Sequence, residues 1–301
     1  GHHRMFDTSR GLSLELYPNL NAADSAATYF NNQQANSFDI IANDSATNTG
    51  DVTFANWQWK ANGGTTTSVS ESQYNAGGTY QKNETAGFSI VSYTGIDTVG
   101  EVTHGLTTQP QVVIVKRRNS TGNWATYHES AGITGTLFLD TTAAKGNTTA
   151  YFHTGWGSAT KFPIGSDADT NADGATYVAY VFSERQGYSK FGKYVGNGNA
   201  DGTFVYLGFQ PAFVMLKSSS IAEPWLMFDN KRDIANGDMD YLLANSNAAG
   251  SNAGLGNSAP IDFLSNGFKL KNADAYANGA NTYIYMAFAE HPFVTSTGIM
   301  G

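Results

Sequence analysis

The chain repeats itself, and this repetition constrains its fold more than any other feature. The stretch "QPQVVIVKRRNSTGNWATYHESAG" from Gln109 aligns without a gap with "QPAFVMLKSSSIAEPWLMFDNKRD" from Gln210, at a constant offset of 101 positions. Lys116 therefore matches Lys217, and Trp124 matches Trp225. Because solenoid repeats span only ~20–50 residues, copies of this length predict a domain each rather than one turn of a solenoid.

Further segments extend the two copies and indicate part of a third. "KFPIGSDADTNADGATYVAYVFSER" is similar to "FKLKNADAYANGANTYIYMAFAEHPF", and "HHRMFDTSRG" near the start is similar to "PWLMFDNKRD". Phe6 also stands 121 positions before Tyr127. The start "GHHRMF" has no initiator Met, which indicates a fragment, a processed chain or a residual tag. The repeats predict three modules: a truncated first module at residues 1–63, a second at 64–186 and a third at 187–301.

Short alternating runs predict an all-β chain. With 33 Gly, 13% aromatic and 14% charged residues, the composition suits many short strands joined by tight turns. The run from Thr282 to Phe288 is apolar on both faces, which predicts a central strand packed between two layers. We expect tandem antiparallel β-sandwiches of jelly-roll or lectin-like type with few helices, and short helical turns at residues 141–145 and 238–246. The other predicted strands span residues 88–93, 112–115, 124–127, 176–182, 204–207, 213–217 and 225–228.

The charge balance and the composition argue against several classes of protein. A net charge of −8 and a pI near 5.1 disfavour a nucleic-acid binder, which presents a basic surface. No stretch of ~20 apolar residues occurs, so no membrane insertion is expected. The sequence has no Cys, which excludes disulfides and thiolate metal sites. The one small basic cluster, Lys116 to Arg118, is interpreted as a solvated strand end.

One stretch resembles a calcium-binding loop. In "DTNADGATYVAY", Asp169, Asn171 and Asp173 alternate and Gly174 stands sixth, as in an EF-hand, but Tyr180 replaces the bidentate Glu at position twelve. The third copy reads "DAYANGANTYIY" and keeps the Asn-Gly pair rather than the ligand pattern. We therefore interpret the stretch as a turn before a strand, with those three residues as weak metal candidates and no cofactor expected.

The residues that catalysis usually requires do not form a recognisable pattern. His104, His128, His153 and His291 lack the close spacing of a zinc site, and surface or strand-end positions are expected for them. His128 begins "HES", but no Ser lies in a G-x-S-x-G elbow. The sequence therefore predicts no catalytic residues and a protein that is not an enzyme.

Two repeated features are interpreted as scaffold. Asp7 and Asp229 both follow "MF", which predicts a turn hydrogen bond rather than a catalytic role. Trp124 and Trp225 recur within predicted strands, where a large aromatic side chain is more often part of the core than a sugar-stacking platform.

Several of these motifs together resemble a known kind of module. "GFSIVSYTG", "HGLTTQPQVVIVKRRNSTGNWATYH", "DGATYVAYVFSE", "FVYLGFQPAFVMLK" and "FLSNGFKL" are similar to a repeated module of bacteriophage virion proteins, found in large tail-fibre or appendage proteins. The resemblance implies an extracellular component of the virion surface, and it supplies no catalytic residues. Its partners would be other virion proteins and further copies of itself, for which a trimer is expected because assembly covers exposed strand edges.

Recognition is expected in the loops, and the sequence leaves one alternative function open. A host-surface glycan or protein would be bound by loops that differ between copies, at residues 119–123, 197–202 and 245–257. The alternative is a secreted bacterial protein that binds or cleaves glycans. It predicts a groove lined by exposed Trp or Tyr and paired carboxylates.

Overall fold

The computed structural model describes residues 1–31, 37–40, 47–153, 155, 158–232, 236, 239–248, 250 and 261–292. The strands, in chain order, are β1 (Leu14–Glu15), β2 (Ser25–Ala26), β3 (Phe30–Asn31), β4 (Asp39–Ile40), β5 (Thr67–Val69), β6 (Asn75–Ala76), β7 (Gly78–Asn83), β8 (Phe88–Thr94), β9 (Gly100–Thr103), β10 (Val112–Arg117), β11 (Ala125–His128), β12 (Leu137–Phe138), β13 (Lys161–Ile164), β14 (Thr176–Phe182), β15 (Ser189–Val195), β16 (Phe204–Tyr206), β17 (Pro211–Ser218), β18 (Leu226–Asp229), β19 (Leu242–Leu243), β20 (Ile261–Leu264), β21 (Gly267–Leu270) and β22 (Thr282–Ala289). The helices are a 3₁₀ turn at Glu129–Ala131 and α1 at Ala168–Asn171. The prediction of an all-β sandwich protein with few helices is confirmed.

The chain forms two compact units that are interleaved in sequence. Unit 1 contains residues 1–126 and 148–183, and unit 2 contains residues 127–147 and 184–301. The three predicted modules describe repetition along the sequence and stay a prediction, whereas the compact units are divided at other positions.

Unit 1 is built from a large and a small sheet. Its large sheet contains the antiparallel run β10-β14-β8-β7-β5, and its small sheet has the order β13-β9-β6. The pair β6–β9 is parallel. The polar stretch from Asn62 to Tyr80 contains β5, β6 and the start of β7.

Unit 2 repeats this plan. Its large sheet has the order β15-β22-β17-β18-β19, and its small sheet has the order β16-β21-β20. One cluster of buried side chains includes Tyr194 and Tyr283 from the large sheet and Phe268 from the small sheet. The two sheets of unit 2 therefore share one core, as in a sandwich. The prediction that β22 is central is confirmed, because it lies between β15 and β17 with both faces buried.

The central strands of the two units pair in the same register. In unit 1, Lys116 of β10 is opposite Val178 of β14, and in unit 2 Lys217 of β17 is opposite Ile284 of β22. Tyr93 likewise stands opposite Tyr177, as Tyr194 stands opposite Tyr283. A shift of the strand pairing by one residue would move every side chain to the opposite face of the sheet. The equal register is therefore strong support for the same fold in both units.

The paired tyrosines form the same contact in both cores. Tyr93 stacks on Tyr177 with ring centroids 5.0 Å apart, and Tyr194 stacks on Tyr283 at 5.1 Å. Burial raises the pKa of Tyr93 and Tyr194 well above the usual value. Their hydroxyls donate at 2.6 Å to the carbonyls of Thr170 and Ala277, so each buried O–H has a partner.

Two sequence expectations about local structure were wrong. Residues 141–145 are not helical, and the described residues of 238–246 contain β19 instead of a helical turn. The glycine-rich loop "GNGNADGTF" at residues 196–204 connects β15 and β16, which belong to different sheets. Alternation along single strands cannot show which strands are neighbours.

Candidate functional site

Each unit is completed by a segment that precedes its main strands in sequence. Residues 1–26, here called the N-terminal segment, belong to unit 1, and residues 127–147, called the crossing segment, belong to unit 2. The two segments correspond at an offset of 121 positions. In unit 1 the backbone N–H of Asp24 donates to the Arg118 carbonyl at 2.9 Å, and in unit 2 that of Lys145 donates to the Ser219 carbonyl at 3.2 Å.

A buried lysine lies beside each of these segments. Lys116 is fully buried, and its Nζ donates to the carbonyls of Asn21 (3.2 Å), Arg117 (2.9 Å) and Gly122 (2.9 Å). Its interpretation as a solvated strand end was wrong, because three carbonyl acceptors replace water around the ammonium group.

Lys217 is the equivalent residue of unit 2, and it is held less completely. It is also fully buried, and it donates to the carbonyls of Ser218 at 2.6 Å and Ile221 at 3.5 Å. Burial lowers the pKa of Lys217 to about 8, an effect that the nearby Glu223 carboxylate partly offsets. The two lysines therefore anchor loops by binding backbone carbonyls.

Both repeated tryptophans are buried, as predicted. Trp124 is 0% and Trp225 is 2% exposed. The indole N–H of Trp124 donates to the carbonyls of Tyr17 (3.1 Å) and Leu20 (3.0 Å) in the N-terminal segment. That of Trp225 donates to Phe138 in the crossing segment at 2.9 Å. Buried rings of this kind cannot serve as platforms for sugars.

The repeated "MFD" motifs form identical turns, which confirms the predicted structural role. Oδ1 of Asp7 accepts the backbone N–H of Arg10 at 2.9 Å, and Oδ1 of Asp229 accepts that of Arg232 at 2.9 Å. In each motif the arginine Nε also donates to the other carboxylate oxygen. Burial opposes ionisation of Asp229, but the hydrogen bonds from Arg232 lower its pKa overall.

The three weak metal candidates, Asp169, Asn171 and Asp173, have different structural roles. Asn171 is fully buried, its Oδ1 accepts the Ile96 N–H at 2.8 Å, and its Nδ2 donates to the carbonyls of Thr98 and Gly165. Asp169 accepts a bond from the Asn123 side chain at 3.2 Å, and Asp173 is exposed. Gly174 has φ +63° two residues before β14, as expected of a turn glycine.

Asn278 repeats the role of Asn171 in unit 2. Its Oδ1 accepts the Asn197 N–H at 3.2 Å, and its Nδ2 donates to the carbonyls of Asn199 and Asn272. The second and third copies therefore share a buried side-chain amide whose hydrogen bonds hold a loop in place. In the described part of the chain, no three His, Asp or Glu side chains form a group suited to a metal ion.

Two histidines lie at strand ends, as expected, but neither is on the surface: His128 ends β11 and His104 directly follows β9. His104 is 0% and His128 is 1% exposed. Nδ1 of His128 accepts the Ser130 N–H at 3.2 Å, and its Nε2 lies 3.1 Å from the Tyr285 carbonyl. The ring is therefore neutral with its proton on Nε2, which donates to Tyr285. Burial lowers the pKa of both histidines to about 4.

These histidines predict a loss of stability in mild acid. The unfolded chain binds protons near pH 6.5, whereas the folded chain binds them only near pH 4, so the free energy of unfolding falls as pH drops through that window. Each histidine contributes up to about 3 kcal/mol to this fall in the free energy of unfolding. In His128→Asn, whose amide oxygen still accepts the Ser130 N–H, the loss between pH 7 and pH 4.5 in urea titrations should shrink. An unchanged loss would show that His128 does not titrate in this window.

Unit 2 also contains a pocket of ≈ 490 Å³ beside Glu223. Its wall includes Leu226, Tyr241, Leu243, Asn245 and Tyr276, with Thr142 of the crossing segment. Burial and the nearby Asp274 carboxylate raise the pKa of Glu223. The site thus combines two aromatic rings, a carboxyl group, an amide and a hydroxyl.

The corresponding residues of unit 1 bond to one another. Asn21 stands at the position equivalent to Thr142, and its carbonyl accepts the N–H of Gly122 at 2.9 Å, which occupies the position of Glu223. Of the three predicted recognition loops, only that at 245–257 reaches the pocket, through Asn245 and Ser246. Residues 249 and 251–257 of this loop lie outside the described residues.

The comparisons with known proteins place the chain in a family. Residues 1–292 match the family described as "Domain of unknown function (DUF7483)". The chain belongs to the DUF7483 family. No curated protein and no solved structure matches this DUF7483 chain. Among the described residues of the DUF7483 chain, no helix has the length and apolar character needed to span a membrane.

Proposed function

We propose that this DUF7483 chain is a structural protein of a bacteriophage virion, a tail fibre, tail or capsid appendage, and is not an enzyme. The observation that carries the proposal is that the repeated polar residues bind other groups within the fold. Lys116 and Lys217 bind backbone carbonyls, and the Asp–Arg pairs close turns. Side chains fixed in this way have a structural role. The resemblance to virion modules is the reason for assigning this role to a virion protein.

The interleaved construction suits a protein that must persist outside a cell. The chain passes between the two units at residues 126/127, 147/148 and 183/184. A unit completed by a distant segment opens only when that segment is released, so local unfolding and proteolysis are suppressed. We propose other virion proteins and further copies of this chain as its partners, with a trimer as the assembly.

Immunogold electron microscopy of phage particles tests this proposal. Antibodies raised against the purified chain should label one fixed part of the virion in a lysate, and sedimentation of the purified chain should show a trimer. Label found only on soluble material, with unlabelled particles, would contradict the virion assignment. A stable monomer would contradict the trimer alone.

Glycan binding is a second candidate function, because the pocket of unit 2 offers suitable chemistry. Tyr241 and Tyr276 supply aromatic surface, and Asn245, Thr142 and Glu223 supply hydrogen-bonding groups. Ligand sites combine an apolar wall with a few polar groups in this manner. In a virion protein the same site would contribute to adhesion to the host surface.

Calorimetric titration with neutral host-surface oligosaccharides tests the second candidate. Tyr276→Ala should weaken binding about tenfold or more, since it removes one ring and leaves the backbone bond from its N–H to Asp274 in place. Tyr74→Ala, a change at a tyrosine that is 61% exposed in unit 1, is the matched control and should leave affinity unchanged. Equal effects of both changes, or no binding, would exclude the pocket as a glycan site.

A further inference from the structure

The outer edge of the large sheet differs between the two units. In unit 1, β8 lies between β14 and β7, and β7 is covered in turn by β5. In unit 2, β15 occupies the position of β8 and pairs with β22 in the equivalent register. Among the described residues, β15 is the last strand of its sheet.

Backbone groups of β15 point away from the sheet at this edge. The N–H of Phe191 donates to Oε2 of Glu184 at 3.3 Å rather than to β22. The carbonyl of Val195 accepts the Thr203 hydroxyl at 2.9 Å. Lys193 lies between Phe191 and Val195. Because backbone groups of every second residue point the same way along a strand, its N–H and C=O also point outward, and no described residue bonds them. The edge therefore presents the N–H and C=O of Lys193 to a further strand, between two positions that side chains of unit 2 already occupy.

The side chains of β7 show what such a strand contacts. In unit 1, the Tyr80 ring covers Gly105, and Lys82 donates to the Gly105 carbonyl at 2.6 Å. Gln81 is fully buried and bonds the hydroxyls of Thr8 (2.9 Å) and Ser9 (2.8 Å). An aromatic residue followed by two polar residues thus fits this edge.

Unit 2 has the matching surface without the strand. Gly208 lies three residues after Val205, which pairs with Phe268, just as Gly105 lies three residues after Val102, which pairs with Phe162. Gly208 has φ +86° against +76° for Gly105, and an added Cβ there would have no heavy atom nearer than the Tyr206 hydroxyl oxygen at 3.6 Å. Glu129 and Ser130 stand at the positions of Thr8 and Ser9. Both are accessible, Glu129 being exposed and Ser130 half-buried.

Exposed apolar side chains lie in the same region. Val195 is 64%, Phe204 44% and Tyr206 59% exposed. Val195 ends β15, and the other two lie on β16, the outer strand of the small sheet. Apolar groups concentrated at an open strand edge are typical of surfaces that another chain covers.

We propose that the β15 edge of unit 2 is a docking site for an extended strand of a partner polypeptide. The strand adds antiparallel to β15, as β7 adds to β8, by β-augmentation. It places an aromatic ring over Gly208 and the following polar side chain against Glu129 and Ser130. This docking site follows from the comparison of the two units and is independent of the virion assignment.

A synthetic peptide of residues 77–84, which contains β7, is the probe. Titrated into the isotope-labelled full chain, it should saturate one site and shift the amide signals of β15, Gly208 and Glu129–Ala131. Because Gln81 faces Ile90, the residue equivalent to Phe191, its N–H points toward the sheet, whereas that of Tyr80 points away. N-methylation at Gln81 should weaken binding about tenfold or more, and N-methylation at Tyr80 should have little effect.

Two variants of the chain test the same edge from the other side. Lys193→Pro removes the outward N–H and should abolish binding, whereas Lys193→Ala keeps it and should bind normally. The methylated peptides leave the protein unaltered, so a folding defect in Lys193→Pro does not decide the outcome. The proposal is overturned by an absence of saturable binding at about 1 mM peptide, the weak-affinity limit for such a contact. Equal affinity of the two methylated peptides, or signal shifts confined to unit 1, would also overturn it.

Discussion

Deletion of residues 1–26 will abolish cooperative folding of unit 1 while unit 2 keeps its own unfolding transition. The deleted segment supplies the fully buried Leu16 and the carbonyls that bind the Trp124 indole and the Lys116 ammonium. It also supplies Asp7, which accepts the buried Tyr180 hydroxyl at 2.7 Å. Unpaired buried polar groups cost about 1–3 kcal/mol each and more when charged, so the total loss exceeds about 5 kcal/mol, the stability of a marginal domain.

Complementation by a peptide separates this effect from general damage. A peptide of residues 1–26 added in trans should restore the transition of unit 1, measured by urea unfolding followed by hydrogen exchange. The same peptide carrying Leu16→Asp should not restore it, because a carboxylate would replace a side chain that is 0% exposed. A truncated chain with two unchanged transitions would contradict the role of the N-terminal segment.

Trp225→Ala will destabilise unit 2 by about 3–5 kcal/mol, the usual cost of removing a buried aromatic side chain. The change leaves a cavity and removes the donor for the Phe138 carbonyl in the crossing segment. Hydrogen exchange should therefore accelerate throughout unit 2, including residues 127–147, and remain slow in unit 1.

Two matched variants define the cause. Trp225→Phe keeps most of the packing and removes only the indole donor, so its cost should be about 1–2 kcal/mol. Trp124→Ala should produce the large effect in unit 1 instead, since that indole donates to Tyr17 and Leu20. Destabilisation of both units by either alanine variant would contradict the assignment of each tryptophan to its own unit.

Local pattern was sufficient to predict eight of the 22 described strands, the central β14 and β22 among them. The run from Thr176 to Phe182 coincides with β14, and Thr282 to Phe288 falls within β22. Alternation and β-branched content act along a single strand, so one sequence reveals them. The repeated Asp of "MFD" was predicted correctly for the same reason, because its turn involves residues only two and three positions away.

Burial of charged and polar groups was predicted poorly. Lys116 was assigned to a solvated strand end and His128 to a surface or strand-end position. Both are buried, with partners distant in sequence, Asn21 and Tyr285 among them. A signal for Lys116 was present in its repetition as Lys217 within an apolar run. Pairings across such distances depend on tertiary structure, which periodicity does not encode.

Local sequence patterns also could not predict how the chain is divided between the two units. The offset of 121 between Phe6 and Tyr127 indicated equivalent segments, but it did not show that each segment completes the sheets that follow it. That assignment depends on hydrogen bonds such as those from Trp124 and Trp225, which join residues 87 to 107 positions apart.

Nuclear Overhauser contacts from the two indole N–H protons, in a chain with ¹⁵N-labelled tryptophan, test most directly whether one plan builds both units. The Trp124 proton should be protected from exchange and lie near Tyr17 and Leu20, and the Trp225 proton should be equally protected and lie near Phe138. Contacts of one indole to its segment and rapid exchange of the other with solvent would show that the two copies fold differently.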